Sequence, residues 1–303
     1  MNVLAAVILN LAVVLVVSPL MLSVINRTKA MVAGRTGQPL LQPYFEIAKQ
    51  LRKGTVLSET TTFVFLLGPV ISFVVVLFAA LLLPLGGVRA PVAFSGDVIL
   101  FVYLFGLGRF FTTAAALDTG SPFEGMGAAR EATFAFMAEP AIFLGMLALA
   151  RISKTLSLSS MLSVSGAELR TASAAVVLVV ASWFIVLLVE NSRVPFDDPN
   201  THLELTMIHE VMVLDHSGPA LGLILWGSAM KLFVFAALIV HVVLPRTGST
   251  VFDAAASAGA TLLLAVVVGL VESGMARLRL VRIPQLLITA SLAATFAVVL
   301  VVR

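Results

Sequence analysis

The chain has 303 residues, of which 60% are hydrophobic and only 12% charged. A water-soluble domain carries about a quarter charged residues, so this composition excludes a soluble globular enzyme. The absence of cysteine removes disulfides, thiolate-held iron–sulfur clusters, c-type haem attachment and cysteine-based zinc sites, and a net charge of +3 with no basic run offers nucleic acid no surface.

The apolar residues come in long runs, which predict an all-α, polytopic membrane fold in a single membrane domain spanning residues 1–303. About eight helices are expected: Val3–Ile25, Phe63–Leu85, Val98–Leu117, Ala132–Ala150, Ala172–Val189, Pro219–Leu244, Val251–Val271 and Pro284–Val302. Each is near the ~20 residues that cross a ~30 Å hydrocarbon core. Helices are required because lipid offers no partner to an open backbone group. The first run follows no positive n-region and is read as a retained helix, not a cleaved signal peptide.

Two loops are long enough to carry structure. In Asn26–Thr62, the residues Tyr44, Ile47, Ala48 and Leu51 share one helical face, and Pro43 suits a first turn. This predicts an amphipathic interfacial helix, or else a surface helix covered by a partner subunit. The second loop, Asn191–Gly218, is less polar than a free loop. Basic residues gather on one side of the spans, with Arg27, Lys29, Arg35, Lys49, Arg52, Lys53, Arg130, Arg193, Arg277, Arg279 and Arg282 there. That bias predicts cytoplasmic long loops, with both termini outside.

Several charges fall where lipid should be. Arg109 lies mid-span, Glu139 within the fourth span with Arg130 and Glu131 at its start, and Glu190 at the end of the fifth. Lys231 and His241 lie in the sixth and Glu272 ends the seventh. Each charge costs at least ~2.5 kcal/mol to insert. The structural explanation is mutual pairing that fixes helix register. The functional one is a polar path in which buried carboxylates exchange protons and Arg109 and Lys231 supply counter-charge.

The densest acidic stretch follows: Glu190, Asp197, Asp198, Glu204, Glu210 and Asp215, interspersed with Arg193, His202, His209 and His216. His202 and His209 would share a helical face, but His209-Glu210 lacks a second histidine four residues on, so the zincin pattern is absent. No nucleophile–base triad and no Gly-rich phosphate loop is present.

The run Glu190-Asn191-Ser192-Arg193-Val194-Pro195-Phe196-Asp197 resembles the E-x-x-R-x-P-F-D signature of the complex I subunit 1 family, the membrane subunit at the base of the peripheral arm. Asp215-His216-Ser217-Gly218 is similar to its E-Y-S-G. Arg35, Gly37, Leu41-Gln42-Pro43, Glu46 and Lys49 resemble its first-loop pattern. Where the quinone-dependent subunit has P-E-A-E-x-E-L, this chain has Pro199-Asn200-Thr201-His202-Leu203-Glu204-Leu205. Leu117 to Phe123, Arg130-Glu131, Glu139-Pro140, Glu204 to Glu210 and Met275 to Arg279 look more like the hydrogenase-4 component C and formate hydrogenlyase subunit 4 branch.

The resemblance implies a membrane anchor and coupling subunit of a group 4 hydrogenase-type oxidoreductase in a bacterial or archaeal cytoplasmic membrane. Its implied partners are antiporter-like membrane subunits and a soluble iron–sulfur and hydrogenase-like arm. Iron–sulfur clusters and a nickel–iron site would reside in those partners, with no cofactor on this chain. Glu131, Glu139, Glu190, Asp197, Glu204, Glu210 and Asp215, with Arg109 and Lys231 as counter-charges, would form the coupling path. Arg35, Gln42, Glu46, Arg193, Arg277, Arg279 and Arg282 would lie near the docking surface or a quinone-like chamber. The alternatives are the quinone-site subunit of a complex I-type NADH dehydrogenase and a stand-alone secondary ion transporter.

Overall fold

A computed structural model describes residues 3–163, 172–197, 207–244 and 247–302. These form α1 (Val3–Val32), α2 (Gln42–Leu51), α3 (Phe63–Leu81), α4 (Asp97–Asp118), α5 (Pro122–Ser153), the short α6 (Leu158–Met161), α7 (Ser173–Glu190), α8 (Gly218–Val243), α9 (Thr250–Gly274) and α10 (Ile283–Val302). A 3-10 turn, Glu210–Val213, precedes α8, and a second, Leu280–Arg282, leads into α10. Among the described residues eight helices are long and apolar enough to cross a membrane, and the protein is a polytopic all-α membrane protein.

Helix α8 is the hub. It packs against α1, α2, α3, α7 and α9, and from Leu232 to Val242 every residue is buried. Around it, α3 pairs with α4, α1 with α9, and α10 fills the groove between α5 and α7. Lipid gives no hydrophobic drive for helix association, so the contacts rely on small residues and polar links. A Cβ at Gly68 of α3 would stand 2.6 Å from the Ala115 Cβ of α4, so the two backbones meet there. Ser72 and Thr112 share a 2.7 Å hydroxyl bond at the same interface. On α10 the stripe Ile283, Leu287, Ala290, Ala294 and Ala297 is fully buried, and the Ser182 hydroxyl of α7 donates to the Ala290 carbonyl at 2.8 Å.

The amphipathic segment of the first loop is α2. Pro43 occupies its first turn, Pro43 and Ile47 are buried, and Phe45 faces outward. The Tyr44 hydroxyl donates to the Val16 carbonyl of α1.

Three helix ends differ from the sequence expectation by four residues or more. Helix α1 continues to Val32 instead of stopping at Ile25. Its extra turns are held by α9, where a Cβ at Gly269 would meet the Thr28 Cβ at 2.8 Å. Helix α5 starts at Pro122, ten residues before the expected Ala132. The polar Glu124–Glu131 stretch looks like loop, yet Glu124, Gly127 and Ala128 are buried against the second long loop. Helix α3 stops at Leu81, ahead of Pro84, which cannot continue it, and Gly86 and Gly87 then turn the chain with φ of 55° and 77°.

Candidate functional site

One charged residue from each of four helices meets in the middle of the bundle. Arg109 of α4 reaches Glu139 Oε1 of α5 at 2.9 Å through Nη1 and Glu190 Oε1 of α7 at 2.8 Å through Nη2. The other Glu190 oxygen, Oε2, takes Lys231 Nζ of α8 at 2.8 Å. The Glu190 side chain is 2% exposed and the Arg109 side chain 12%, whereas the Glu139 side chain is 40% exposed. Burial on this scale is tolerated only because each charge has a partner. The planar guanidinium fork suits the task, since it gives two directed bonds to two carboxylates from one side chain.

The cluster opens onto a cavity of about 110 Å³ bounded by α3, α4, α5, α8 and the segments around Ser192 and the 3-10 turn. Arg109, Glu131, Glu190, His209, His216 and Lys231 all line it. The rest of the wall is mostly apolar, so any water held there would sit against these polar groups, since each water needs about two to four polar partners. His216 lies just before α8, its ring 3.9 Å from that of Phe65. Burial holds its pKa down to about 4, against the smaller upward pulls of the Phe65 backbone and the Asp215 carboxylate.

A second set of ion pairs lies at the ends of α1 and α9. Glu272, whose side chain is fully enclosed, takes Lys29 Nζ at 2.8 Å and Arg193 Nη1 at 3.4 Å. Nearby, Arg277 Nη2 is 2.9 Å from Asp197 Oδ1. Asp197 Oδ2 accepts the Ile208 and His209 amides at 3.0 and 3.1 Å. Among the described residues no group of three histidine or acidic side chains forms a metal-holding arrangement.

Residues 4–303 match the family described as NADH dehydrogenase. The chain belongs to this family. Formate hydrogenlyase subunit 4 of Escherichia coli is 31% identical over 286 residues, covering 90% of this chain and 91% of that one. Hydrogenase-4 component C of the same organism is 31% identical over 233 residues, covering 77% and 73%. A chain of the membrane-bound sulfane sulfur reductase, an archaeal respiratory membrane complex, shares the fold with a TM-score of 0.80 over 98% of this chain and all of that one, at 20% identity. This member of the NADH dehydrogenase family is a multi-pass membrane subunit of a complex I-like oxidoreductase.

Within this family member, Arg109, Glu139, Glu190 and Lys231 come together, and Glu131 shares their cavity. Asp197 stands apart, in the ion set with Arg277. Glu210 and Asp215 lie on the turn that leads into α8, and the Asp215 amide donates to Glu124 Oε1 at 3.2 Å. Glu204 lies outside the described residues, as do Asn200 and His202. Arg193 and Arg277 are engaged inward with acids, while Arg35, Arg279 and Arg282 are exposed. Gln42 Nε2 donates to Glu46 Oε1 at 3.1 Å along α2.

Sequence reasoning missed Glu124, counted Lys29 only toward the charge of its loop, and named Glu272 among the in-span charges without finding its partners. A signal existed for Glu124. Glu124, Glu131 and Glu139 are spaced by seven and eight residues, close to two helical turns, so they follow one face of α5. Nothing local pointed to the Lys29–Glu272 pair, which joins residues at opposite ends of the chain.

Proposed function

We propose that this chain is the membrane anchor and coupling subunit of a multisubunit oxidoreductase of the group 4 hydrogenase or formate hydrogenlyase type. A soluble arm carrying iron–sulfur clusters and a hydrogenase-like centre docks on the long-loop side, which faces the cytoplasm. Antiporter-like subunits adjoin it within the membrane, and both termini face outward. Electrons stay in the partner subunits. A charge change in the docked arm shifts protons among Glu131, Glu139, Glu190, Glu210 and their neighbours, and the adjoining subunits respond by moving protons or other ions.

The observation that carries this reading is the Arg109 cluster. Four helices each spend one charge on it, and it borders a cavity into whose largely apolar wall Glu131, His209 and His216 are also set. A register-fixing pair needs two residues; a shared carboxylate between Arg109 and Lys231 is an arrangement whose charge state changes with one proton. The likeness to formate hydrogenlyase subunit 4 and hydrogenase-4 component C favours a hydrogenase-type arm.

Purification of a tagged chain in mild detergent tests the assembly. A soluble redox arm and at least one further membrane subunit are expected to co-purify. Ion transport by the chain alone in liposomes would instead establish a stand-alone transporter. Inhibition of electron transfer by a quinone-site competitor would move the reading to a quinone-reducing complex.

A further inference from the structure

The Glu272 ion set is separate from the Arg109 cluster, yet a rigid piece of backbone joins them. Helix α7 ends with Glu190 in its last turn. Ser192 then adopts φ 50°, the Ser192 amide donates to the Val189 carbonyl at 3.1 Å, and the Arg193 amide donates to the Leu188 carbonyl at 2.8 Å. This pair of bonds around a left-handed residue is a Schellman cap. Left-handed backbone is unfavourable for serine and persists where its surroundings fix it. The Arg193 backbone therefore cannot move without carrying the turn that holds Glu190.

Arg193 is tied at its other end to Glu272. Glu272 is in turn anchored to α1 through Lys29, one helical turn from the backbone contact between Gly269 and Thr28. The Leu278 amide donates to the Pro195 carbonyl at 2.8 Å and Arg277 pairs with Asp197, so the 193–197 segment is clamped to the stretch that follows α9. The Lys29 side chain is 26% exposed, so this set reaches the surface next to the α1–α2 loop.

We propose that Glu272 is a positioning residue for Glu190. Through Arg193 and the Schellman cap it holds the Glu190 carboxylate between Arg109 and Lys231. It also links that carboxylate to Lys29, a surface cation within reach of a docked partner. An acidic side chain of the arm that competes for Lys29 leaves Glu272 to Arg193 alone, draws that 3.4 Å contact closer and shifts the Glu190 turn. The inference rests on the coupling reading of the Arg109 cluster and adds to it the route by which docking is sensed.

The test uses the purified whole complex in liposomes, driven by its own electron donor, with a trapped pH dye and parallel thermal melting. Three variants are compared: Glu272→Gln, Arg193→Gln and the charge exchange Lys29→Glu with Glu272→Lys. The exchange restores an α1–α9 pair but repels Arg193. Protons moved per electron are expected to fall by on the order of tenfold in all three, since a displacement of about 1 Å is ample to disable positioned groups. The exchange should nonetheless melt closer to the parent than Glu272→Gln does, and its proton release should show a shifted pH profile. Unchanged stoichiometry in Arg193→Gln, or an exchange variant that recovers both melting and stoichiometry, would overturn the proposal, because Glu272 would then only brace two helices. A Glu190→Gln control separates the two levels. Normal pumping in Glu190→Gln defeats the coupling reading itself, whereas lost pumping there with normal pumping in Glu272→Gln and Arg193→Gln defeats the Glu272 route alone.

Discussion

Replacing Arg109 by glutamine removes the cation that Glu139 and Glu190 share. The Glu190 side chain, 2% exposed, keeps Lys231 at 2.8 Å but loses half of its counter-charge. Breaking a buried pair by deleting one partner costs about 3–5 kcal/mol, and the retained lysine places this case at the lower end. The Glu139 side chain is 40% exposed, so water screens it and its share is about 0–1 kcal/mol. The expected total is therefore about 3–4 kcal/mol. Arg109→Lys keeps the charge and loses the two-armed geometry, so it should cost less than glutamine. The double variant Arg109→Gln with Glu190→Gln should recover part of the loss, because no uncompensated carboxylate is left behind. Detergent-micelle titration with a denaturing surfactant, followed by circular dichroism, measures all of these. If Arg109→Gln proved no more disruptive than Arg151→Gln, an exposed control at the end of α5, the cluster would not be holding the bundle and the energetics above would be refuted.

Three further outcomes are expected. His216 has a pKa near 4 in the folded chain and about 6.5 when unfolded; the unfolded state binds more protons between these values, so stability is full above pH 6.5, falls as pH drops toward 4 and levels off below. His216→Phe should flatten melting midpoints across that window, and an unaltered slope would locate the pH dependence elsewhere. Gly127→Ala places a Cβ against the Val211 side chain and 2.9 Å from the Ile208 carbonyl; overpacking of this kind costs about 1–3 kcal/mol, and the same surfactant titration measures it. Tyr44→Phe deletes the hydroxyl that ties α2 to the Val16 carbonyl, with an expected loss of about 1 kcal/mol and faster amide exchange through residues 42–51.

Much of this architecture is legible in the sequence. The eight spans follow from run length alone, because the hydrocarbon thickness dictates it. Helix α2 follows from the facing of Tyr44, Ile47, Ala48 and Leu51 behind Pro43, although of these four only Ile47 is buried and Ala48 and Leu51 stand exposed. The four central charges were identifiable one at a time, since each stands in an apolar run where insertion is costly. Their meeting was not, because Arg109 and Glu190 are 81 positions apart and pairing depends on the rotation of each helix. Ends of helices failed where protein, not lipid, surrounds them. The Glu124–Glu131 stretch of α5 carries charge and glycine that read as loop, and only the neighbouring 3-10 turn makes it a buried helix. The inward engagement of Arg193 and Arg277 was equally hidden, because a motif shows which residues are present and not which way they face.

The coupling role itself is tested most directly by protons moved per electron in the intact complex carrying Glu139→Gln or Glu190→Gln. Electron transfer through the soluble arm is expected to continue in both while proton movement falls severely, more so for the deeper Glu190. Wild-type proton movement in both variants would contradict a coupling role for the Arg109 cluster and leave it as a brace between four helices.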